Sequence, residues 1–362
     1  MTSVSQFQVD FTRFLDPQGE ALAPLPDFAQ DPAVLLPLYR AMHLTRIFDS
    51  KAIALQRTGK LGTFASALGQ EAVGVGVASA MAGEDVLVPS YRDHGAQFLR
   101  GVKMEEVLLY WGGDESGSNY AGPRSDFPVC VPIATQVCHA AGAAYAFKLR
   151  EEARVAVCFL GDGATSKGDF YEGLNFAAAW QAPMVVIINN NQWAISVPRE
   201  RQTAARTLAQ KAIAAGIEGV QVDGNDIVAV RHAAQQALDK ARDGGGPAVI
   251  EAISYRLGDH TTADDATRYR DAEAVEKQWA FEPILRLRNY LLRLEAWDAK
   301  REEQLVKECT EAVNAAVEAY LATPPPPVTA MFDQLFATLP PAMQAQLDTA
   351  LRFENKQGGG HG

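Results

Sequence analysis

Apolar runs alternate with helix-period segments through the middle of the chain. Residues 155–160 form a short apolar run of the length and composition expected for a buried strand. A helical pattern follows, with Phe170 and Leu174 on one face, and Pro183 marks its end. A second β-branched run, at residues 184–188, completes the unit. The pattern predicts two parallel strands joined by a helical crossover.

The alternation extends on both sides of this unit. Further strand-like runs, separated by helical patterns, occur at residues 85–89, 220–222 and 248–253. Such alternation is typical of an α/β fold with a mostly parallel, doubly wound sheet flanked by helices. One long helix is predicted before the sheet and two amphipathic helices after it, at residues 34–58, 272–296 and 300–321.

The same patterns predict four segments along the chain. They are an N-terminal arm, an α/β domain, a C-terminal helical extension and a terminal segment, at residues 1–33, 34–270, 271–322 and 323–362. The terminal segment begins with a stiff proline-rich break and contains a short helix near residues 341–353. We expect a flexible tail from Gly358 onward.

The acidic composition narrows the range of partners and compartments. The formal net charge of −11 at pH 7 disfavours nucleic acid and anionic membrane surfaces. The four cysteines include no CxxC pair and no histidine at zinc-site spacing, so we expect reduced packing residues. The N-terminus lacks a signal-peptide pattern, and no apolar run approaches the ~18 residues that span a bilayer. These features predict a soluble, cytoplasmic protein.

Polar residues directly follow the two central strands. Gly161-Asp162-Gly163 ends the first strand, and Asn191 closes an asparagine triplet after the second. Parallel strands joined by a right-handed crossover end at one sheet edge, where open α/β sheets bind ligands. Carboxylate and carboxamide oxygens suit Mg²⁺ and are poor ligands for zinc. Because glycine lets a diphosphate approach the backbone, the sequence predicts a Mg²⁺–diphosphate site here.

Two other polar segments leave the same predicted edge. Tyr91-Arg92 follows the strand at residues 85–89, and an arginine there can pair with a phosphate, although a surface loop is the alternative. A long polar loop at residues 255–270 contains His260 and follows the last strand. An ordinary connecting loop is the alternative interpretation of that segment.

The spacing of GDG and NN resembles the thiamine diphosphate-binding signature. The longer stretch, GDGATSKGDFYEGLNFAAAW…NNNQWAIS, is similar to the alpha subunits of the 2-oxo acid dehydrogenase complexes, and the likeness covers roughly residues 34–322. It implies a thiamine diphosphate-binding fold and an oxidative decarboxylation of a 2-oxo acid. The acyl group would pass to the lipoyl group of an acyltransferase.

The resemblance also implies site residues. Asp162, Asn191 and the backbone carbonyl of Trp193 would bind Mg²⁺. The implied cofactor-binding residues are Tyr91, Arg92, Val131, Ile133, Gly161, Asp162, Gly163, Ala164, Asn191, Ile195 and His260. Among them, Ile195 would wedge the cofactor into its bent form. His260, which would approach both the diphosphate and the lipoyl group, is the predicted catalytic residue.

The family divides its site between two chains. A thiamine site needs a glutamate on a pyrimidine-binding domain, yet only helices are predicted after the α/β unit here. In the family, a beta subunit carries that glutamate. We therefore expect an α₂β₂ heterotetramer that docks to a lipoyl-bearing dihydrolipoamide acyltransferase.

The sequence alone does not decide which substrate the protein uses. TLAQKAIAAGIEGVQVDGND resembles pyruvate-type bacterial subunits, whereas HTTADDATRYR has the compact spacing of branched-chain types. We predict pyruvate, with 2-oxoisovalerate and then acetoin as alternatives, and a non-catalytic scaffold paralogue as the alternative from another class. A monovalent cation near Thr135-Gln136, phosphorylation at Thr261 and the role of the acidic loop at residues 111–127 stay undecided.

Overall fold

Six parallel strands form the central sheet of the fold. The computed structural model describes residues 4–333 and 335–358. With a separate hairpin, the described residues contain eight strands: β1 (Phe11–Thr12), β2 (Val86–Val88), β3 (Ala156–Gly161), β4 (Met184–Asn190), β5 (Trp193–Ala194), β6 (Val197–Pro198), β7 (Glu218–Asp223) and β8 (Ala248–Ile253). The sheet has the order β1-β7-β8-β4-β3-β2, and every neighbouring pair is parallel. A separate antiparallel hairpin pairs β5 with β6.

Helices precede, separate and follow these strands along the chain. They are α1 (Pro32–Arg57), α2 (Glu71–Ala78), α3 (His94–Arg100), α4 (Met104–Gly112), α5 (Thr135–Leu149), α6 (Gly168–Ala179), α7 (Arg199–Gln202), α8 (Ile227–Arg242), α9 (Ala272–Gln278), α10 (Pro283–Arg293), α11 (Ala299–Ala322), α12 (Ala330–Asp333) and α13 (Pro341–Gly358). The first follows from its sequence: Asp31 caps the start, where its side chain accepts a hydrogen bond from the Ala33 backbone.

Both faces of the sheet are covered, which explains the continuous apolar runs of the central strands. Alternate residues of β3 point to opposite sides. Cys158 and Leu160 lie in a core shared with α5 and α6, whereas Val157 and Phe159 lie in a core shared with α2 and α8. The predicted doubly wound α/β architecture is thereby confirmed.

The predicted helix at residues 272–296 is wrong as a single element. α9 ends at Gln278, a 3₁₀ turn covers Trp279–Phe281, and α10 begins at Pro283. Proline lacks a backbone N–H and starts helices more readily than it continues them. Glu282 caps the new helix, because its carboxylate accepts from the Ile284 and Leu285 backbones.

Contacts divide the chain between Val317 and Glu318, within α11. The second unit holds the end of α11, a proline-containing link, α12 and α13. The four predicted segment boundaries stay predictions. Beyond Gly358, the predicted tail lies outside the described residues. Within the described part of the chain, no helix is long and apolar enough to cross a membrane.

Candidate active site

A cavity of about 250 Å³ lies at the carboxyl ends of β3 and β4. Of the predicted site residues, it brings together Tyr91, Arg92, Ile133, Gly161, Asp162, Gly163, Ala164, Asn191, Trp193, Ile195 and His260. Val131 is the exception: its side chain is 48% exposed and it is not among the lining residues. Residues from five chain segments therefore meet at the sheet edge, and all of these segments except the one with Ile133 follow a strand.

Asp162 follows β3 directly and is only 1% exposed. Its Oδ2 atom has no hydrogen-bond partner among the described residues. Burial raises the pKa of the carboxyl to about 6, because removal from water disfavours the charged form. A bound cation would reverse that preference. No cluster of three or more His, Cys, Asp or Glu side chains occurs in the described ranges, so other ligands here would be neutral oxygens.

The turn after Asp162 is held from two sides. A Cβ at Gly163 would lie 2.8 Å from the Cβ of Ala194, so the β5–β6 hairpin packs directly on this glycine. On the other side, the Thr165 hydroxyl donates to the Asp162 carbonyl over 2.7 Å. The Lys211 ammonium in turn donates to the Thr165 carbonyl and hydroxyl, each over 2.9 Å. These contacts fix the turn that carries the carboxylate.

Asn191 is buried at the end of β4 and uses both ends of its amide. Its Nδ2 donates to Oε1 of Gln70 over 2.9 Å. Its Oδ1 accepts from the Trp193 backbone over 3.2 Å. A carbonyl-type oxygen has two lone pairs, so Oδ1 keeps one for a metal. The buried Asn190 beside it is held by Glu251, whose Oε1 accepts from Asn190 Nδ2 over 2.7 Å.

Arg92, Tyr91 and His260 form the positively charged wall of the cavity. Nη1 of Arg92 donates to the Ser66 carbonyl over 2.7 Å, and Nη2 lies 2.5 Å from the His260 carbonyl oxygen and 2.9 Å from its Nδ1. The Tyr91 ring packs on both, 5.2 Å from the guanidinium carbon and 6.2 Å from the imidazole centroid. Arg92 forms no ion pair with a carboxylate among the described residues. An anion could take that role.

The imidazole of His260 is neutral at physiological pH. Burial, followed by the charges of Arg92 and Arg256, lowers its pKa to about 4. Since a guanidinium only donates, Nδ1 facing Arg92 must be the acceptor, and the ring proton sits on Nε2. The wall therefore combines a fixed cation with a neutral N–H donor.

Sequence reasoning missed two residues that organise the cavity. Arg256 is 1% exposed and donates to the Ile195 carbonyl over 2.8 Å and to the Trp193 carbonyl over 3.3 Å. Its place just after β8, at the ligand-binding edge, was an available signal. Gln70 follows no strand, and its contact with Asn191 is visible only in three dimensions.

Asp264 ties the loop around His260 together. It accepts from the His260 backbone over 2.9 Å and from the Tyr269 hydroxyl, which itself accepts from Arg256 over 2.9 Å. Polar composition alone predicted only a loop here. The structure joins it to the hairpin that carries Trp193.

Comparison with known proteins identifies one family, and the relatives described below are all alpha subunits of dehydrogenases. The profile of the dehydrogenase E1 component family matches residues 39–329. The 3-methyl-2-oxobutanoate dehydrogenase subunit alpha of Mycobacterium tuberculosis is 43% identical over 309 residues, which cover 85% of this chain and 84% of that protein. The pyruvate dehydrogenase E1 component subunit alpha of Acholeplasma laidlawii is 40% identical over 323 residues, 88% of this chain and 93% of that protein. Its Staphylococcus aureus counterpart is 37% identical over 355 residues, 97% and 95% of the two chains.

Proposed function

The chain belongs to the dehydrogenase E1 component family, and we propose that it is the alpha subunit of a pyruvate dehydrogenase. Membership makes it a component of a 2-oxo acid dehydrogenase and implies thiamine diphosphate as its cofactor. The observation that carries the proposal is the cavity, which is lined by a carboxylate with one unpartnered oxygen, a carboxamide and an arginine–histidine wall. Bound thiamine diphosphate supplies the carbanion chemistry of decarboxylation.

Mg²⁺ is the metal that the donor set favours. Asp162 would contribute its free carboxylate oxygen and Asn191 its carboxamide oxygen. The Trp193 carbonyl, which Arg256 orients, would be a third oxygen ligand. Hard oxygen donors with a single charge suit Mg²⁺, which also binds diphosphate oxygens and water. Gly161, where a Cβ would meet nothing within 4 Å, would leave room for the diphosphate beside the turn, whereas the hairpin fills that space at Gly163.

The positively charged wall would bind the diphosphate and then serve the acyl acceptor. Arg92 would pair with phosphate oxygens, because its guanidinium lacks a carboxylate partner among the described residues. The Nε2 proton of His260 would donate to an oxygen in the cavity, while Nδ1 stays fixed against Arg92. With its pKa lowered to about 4, the ring would meet the incoming lipoyl group as an N–H donor rather than as a base.

The cavity offers only part of a thiamine site. Ile195 at the hairpin tip is 56% exposed and Ile133 is partly exposed, although both line the cavity. Such apolar exposure fits a surface that a second chain covers. We propose a beta subunit as that chain, in an α₂β₂ heterotetramer that docks to a lipoyl-bearing acyltransferase. The four unpaired cysteines support a cytoplasmic location.

A branched-chain 2-oxo acid is the second candidate substrate. The Mycobacterium tuberculosis relative, 43% identical, is named for 3-methyl-2-oxobutanoate, and the loop after His260 has the compact branched-chain spacing. Pyruvate stays the first candidate because residues 207–226 resemble pyruvate-type subunits and relatives 40% and 37% identical are named for it. A non-catalytic scaffold is disfavoured by a cavity in which Asp162, Asn191, Arg92 and His260 all remain in place.

The substrate is decided by steady-state rates of the reconstituted enzyme. The chain, its beta subunit and the acyltransferase would be supplied in turn with pyruvate, 2-oxoisovalerate and acetoin, at saturating thiamine diphosphate and Mg²⁺. We expect kcat/KM for pyruvate to exceed the others by at least tenfold, about 1.4 kcal/mol. A higher value for 2-oxoisovalerate would assign the branched-chain function instead, and no turnover of any substrate would favour the scaffold.

A further inference from the structure

Gln70 is a buried amide with one unused end. It immediately precedes α2, lines the cavity and is 3% exposed. Its Oε1 accepts from Asn191, whereas its Nε2 is buried and has no hydrogen-bond partner among the described residues. A buried donor left unpaired destabilises the folded state, so such groups in folded proteins call for an explanation.

The orientation of this amide follows from the backbone of the neighbouring hairpin. The Trp193 N–H can only donate, so the Asn191 atom that faces it is the oxygen. Asn191 must then present its NH₂ group to Gln70, and the Gln70 atom that accepts is its oxygen. The Nε2 group of Gln70 is therefore the free end, and it can only donate.

The segment that holds Gln70 is fixed on both sides. Gly69 adopts a φ of +84°, and a Cβ there would lie 2.4 Å from the Tyr255 carbonyl oxygen, so the chain presses against the segment after β8. Glu71 accepts from the Gly69 backbone over 3.0 Å and from Arg46 over 2.8 Å. These contacts fix the backbone on either side of Gln70, whose side chain is tied to Asn191 at the cavity.

We propose that Gln70 is a positioning residue for the cofactor, an inference that rests on the proposed function. Its Oε1 holds the Asn191 amide so that oxygen, and not nitrogen, is available to the metal. Its Nε2 donates to an oxygen of the bound diphosphate, beside Arg92 and His260 in the same cavity. Nε2 needs an acceptor with a free lone pair, and the diphosphate would bring several oxygens into the cavity that Gln70 lines.

The test compares Gln70→Met with a matched variant, Gln97→Met. Methionine keeps the length of the side chain and removes both hydrogen-bonding ends. Gln97 is also a buried amide with one unused end: Nε2 donates to the Tyr120 hydroxyl over 3.0 Å, Oε1 has no partner among the described residues, and it does not line the cavity. Both variants lose a buried amide, so a purely structural effect should be similar in the two.

Calorimetric titration of the assembled α/β enzyme provides the readout. We expect Gln70→Met to raise the Kd of thiamine diphosphate about tenfold at saturating Mg²⁺ and to raise the Mg²⁺ concentration at half-saturation at least fivefold. Gln97→Met should leave both values within twofold of wild type. Equal values for Gln70→Met and wild type, or equal losses in the two variants, would overturn the assignment.

A second variant, Gln70→Glu, separates the two ends of the amide. Glutamate keeps an oxygen that can accept from Asn191, so Mg²⁺ half-saturation should stay within about threefold of wild type. A rise as large as that of Gln70→Met would overturn the orienting role. A wild-type enzyme that binds no thiamine diphosphate would overturn the proposed function, whereas wild-type binding with undiminished binding by Gln70→Met overturns only the role of Gln70.

Discussion

The ionisation of one carboxyl group governs the site at the scale of single residues. Asp162 combines burial, a free oxygen and a pKa raised to about 6. Without a cation nearby, burial favours the neutral, protonated form of this carboxyl group. A divalent cation changes the balance, because it favours the ionised form and satisfies the free oxygen. Under the proposed function, the free oxygen of Asp162 would therefore bind the metal.

Asp162→Asn should nearly abolish Mg²⁺-dependent cofactor binding. The substitution keeps the shape of the side chain and removes its charge, so the metal loses its one anionic ligand from this chain. We expect calorimetric affinity for thiamine diphosphate to fall at least 100-fold in the presence of Mg²⁺. Asp169→Asn is the control, since its carboxylate lies near Lys167 on the surface and outside the cavity. An unchanged affinity in Asp162→Asn would remove the metal assignment.

His260 should stay neutral down to low pH. Its pKa is lowered from the usual value of 6.5 for histidine to about 4 by burial and by the charges of Arg92 and Arg256. Between about pH 6.5 and 4 the unfolded chain binds a proton that the folded chain does not, so the contribution of His260 to the unfolding free energy falls as the pH falls. Proton–carbon NMR can follow the ring, with the signal assigned from the His260→Asn spectrum. A titration midpoint near 6.5 would contradict the burial of His260 beside the charges of Arg92 and Arg256.

At the scale of elements, the contact between the end of β3 and the β5–β6 hairpin shapes the site. The hairpin carries Trp193 and Ile195, and it lies directly on Gly163. Arg256 holds the same hairpin from the other side through two backbone carbonyls. The turn after β3 is therefore supported by the segments that follow β4 and β8. These contacts explain how short elements can hold the oxygen atoms that would bind a metal.

Gly163→Ala should destabilise the protein, whereas Gly161→Ala should not. A Cβ at Gly163 would meet Ala194 at 2.8 Å, but a Cβ at Gly161 would meet nothing within 4 Å. Overpacking of this kind typically costs 1–3 kcal/mol, so we expect a loss of about 2 kcal/mol in denaturant unfolding of Gly163→Ala. The change at Gly161 should stay within about 0.5 kcal/mol. Equal losses would show that the hairpin does not pack as described.

Element prediction from sequence succeeded where burial dictates the pattern. Residues 155–160 and 184–188 are apolar because helices cover both faces of the sheet, and they became β3 and β4 within about one or two residues at each end. The predicted helix at residues 272–296 failed, because amphipathic periodicity runs through Pro283 while the backbone stops there. The periodicity of apolar residues indicates which face of a helix is buried, but it does not show whether the helix is continuous.

At the scale of the whole molecule, the site was only partly predictable. Asp162, Asn191, Arg92 and His260 all follow strands, and strand ends share one edge of a parallel sheet. Gln70 and the exact hydrogen bonds of Arg256 were not predictable, because their partners lie far away in sequence. Val131 was implied by resemblance alone, and its place outside the cavity lining leaves its contact a prediction.

The central claim is that this chain supplies half of a thiamine diphosphate site. It is tested most directly by the release of CO₂ from labelled pyruvate, with thiamine diphosphate and Mg²⁺ present, by the chain alone, by the beta subunit alone and by the two together. We predict release only from the assembled pair, at least 100-fold above either chain, and its loss when Asp162→Asn replaces the wild-type chain. Full activity of the chain alone, or of the pair with Asp162→Asn, would contradict the account.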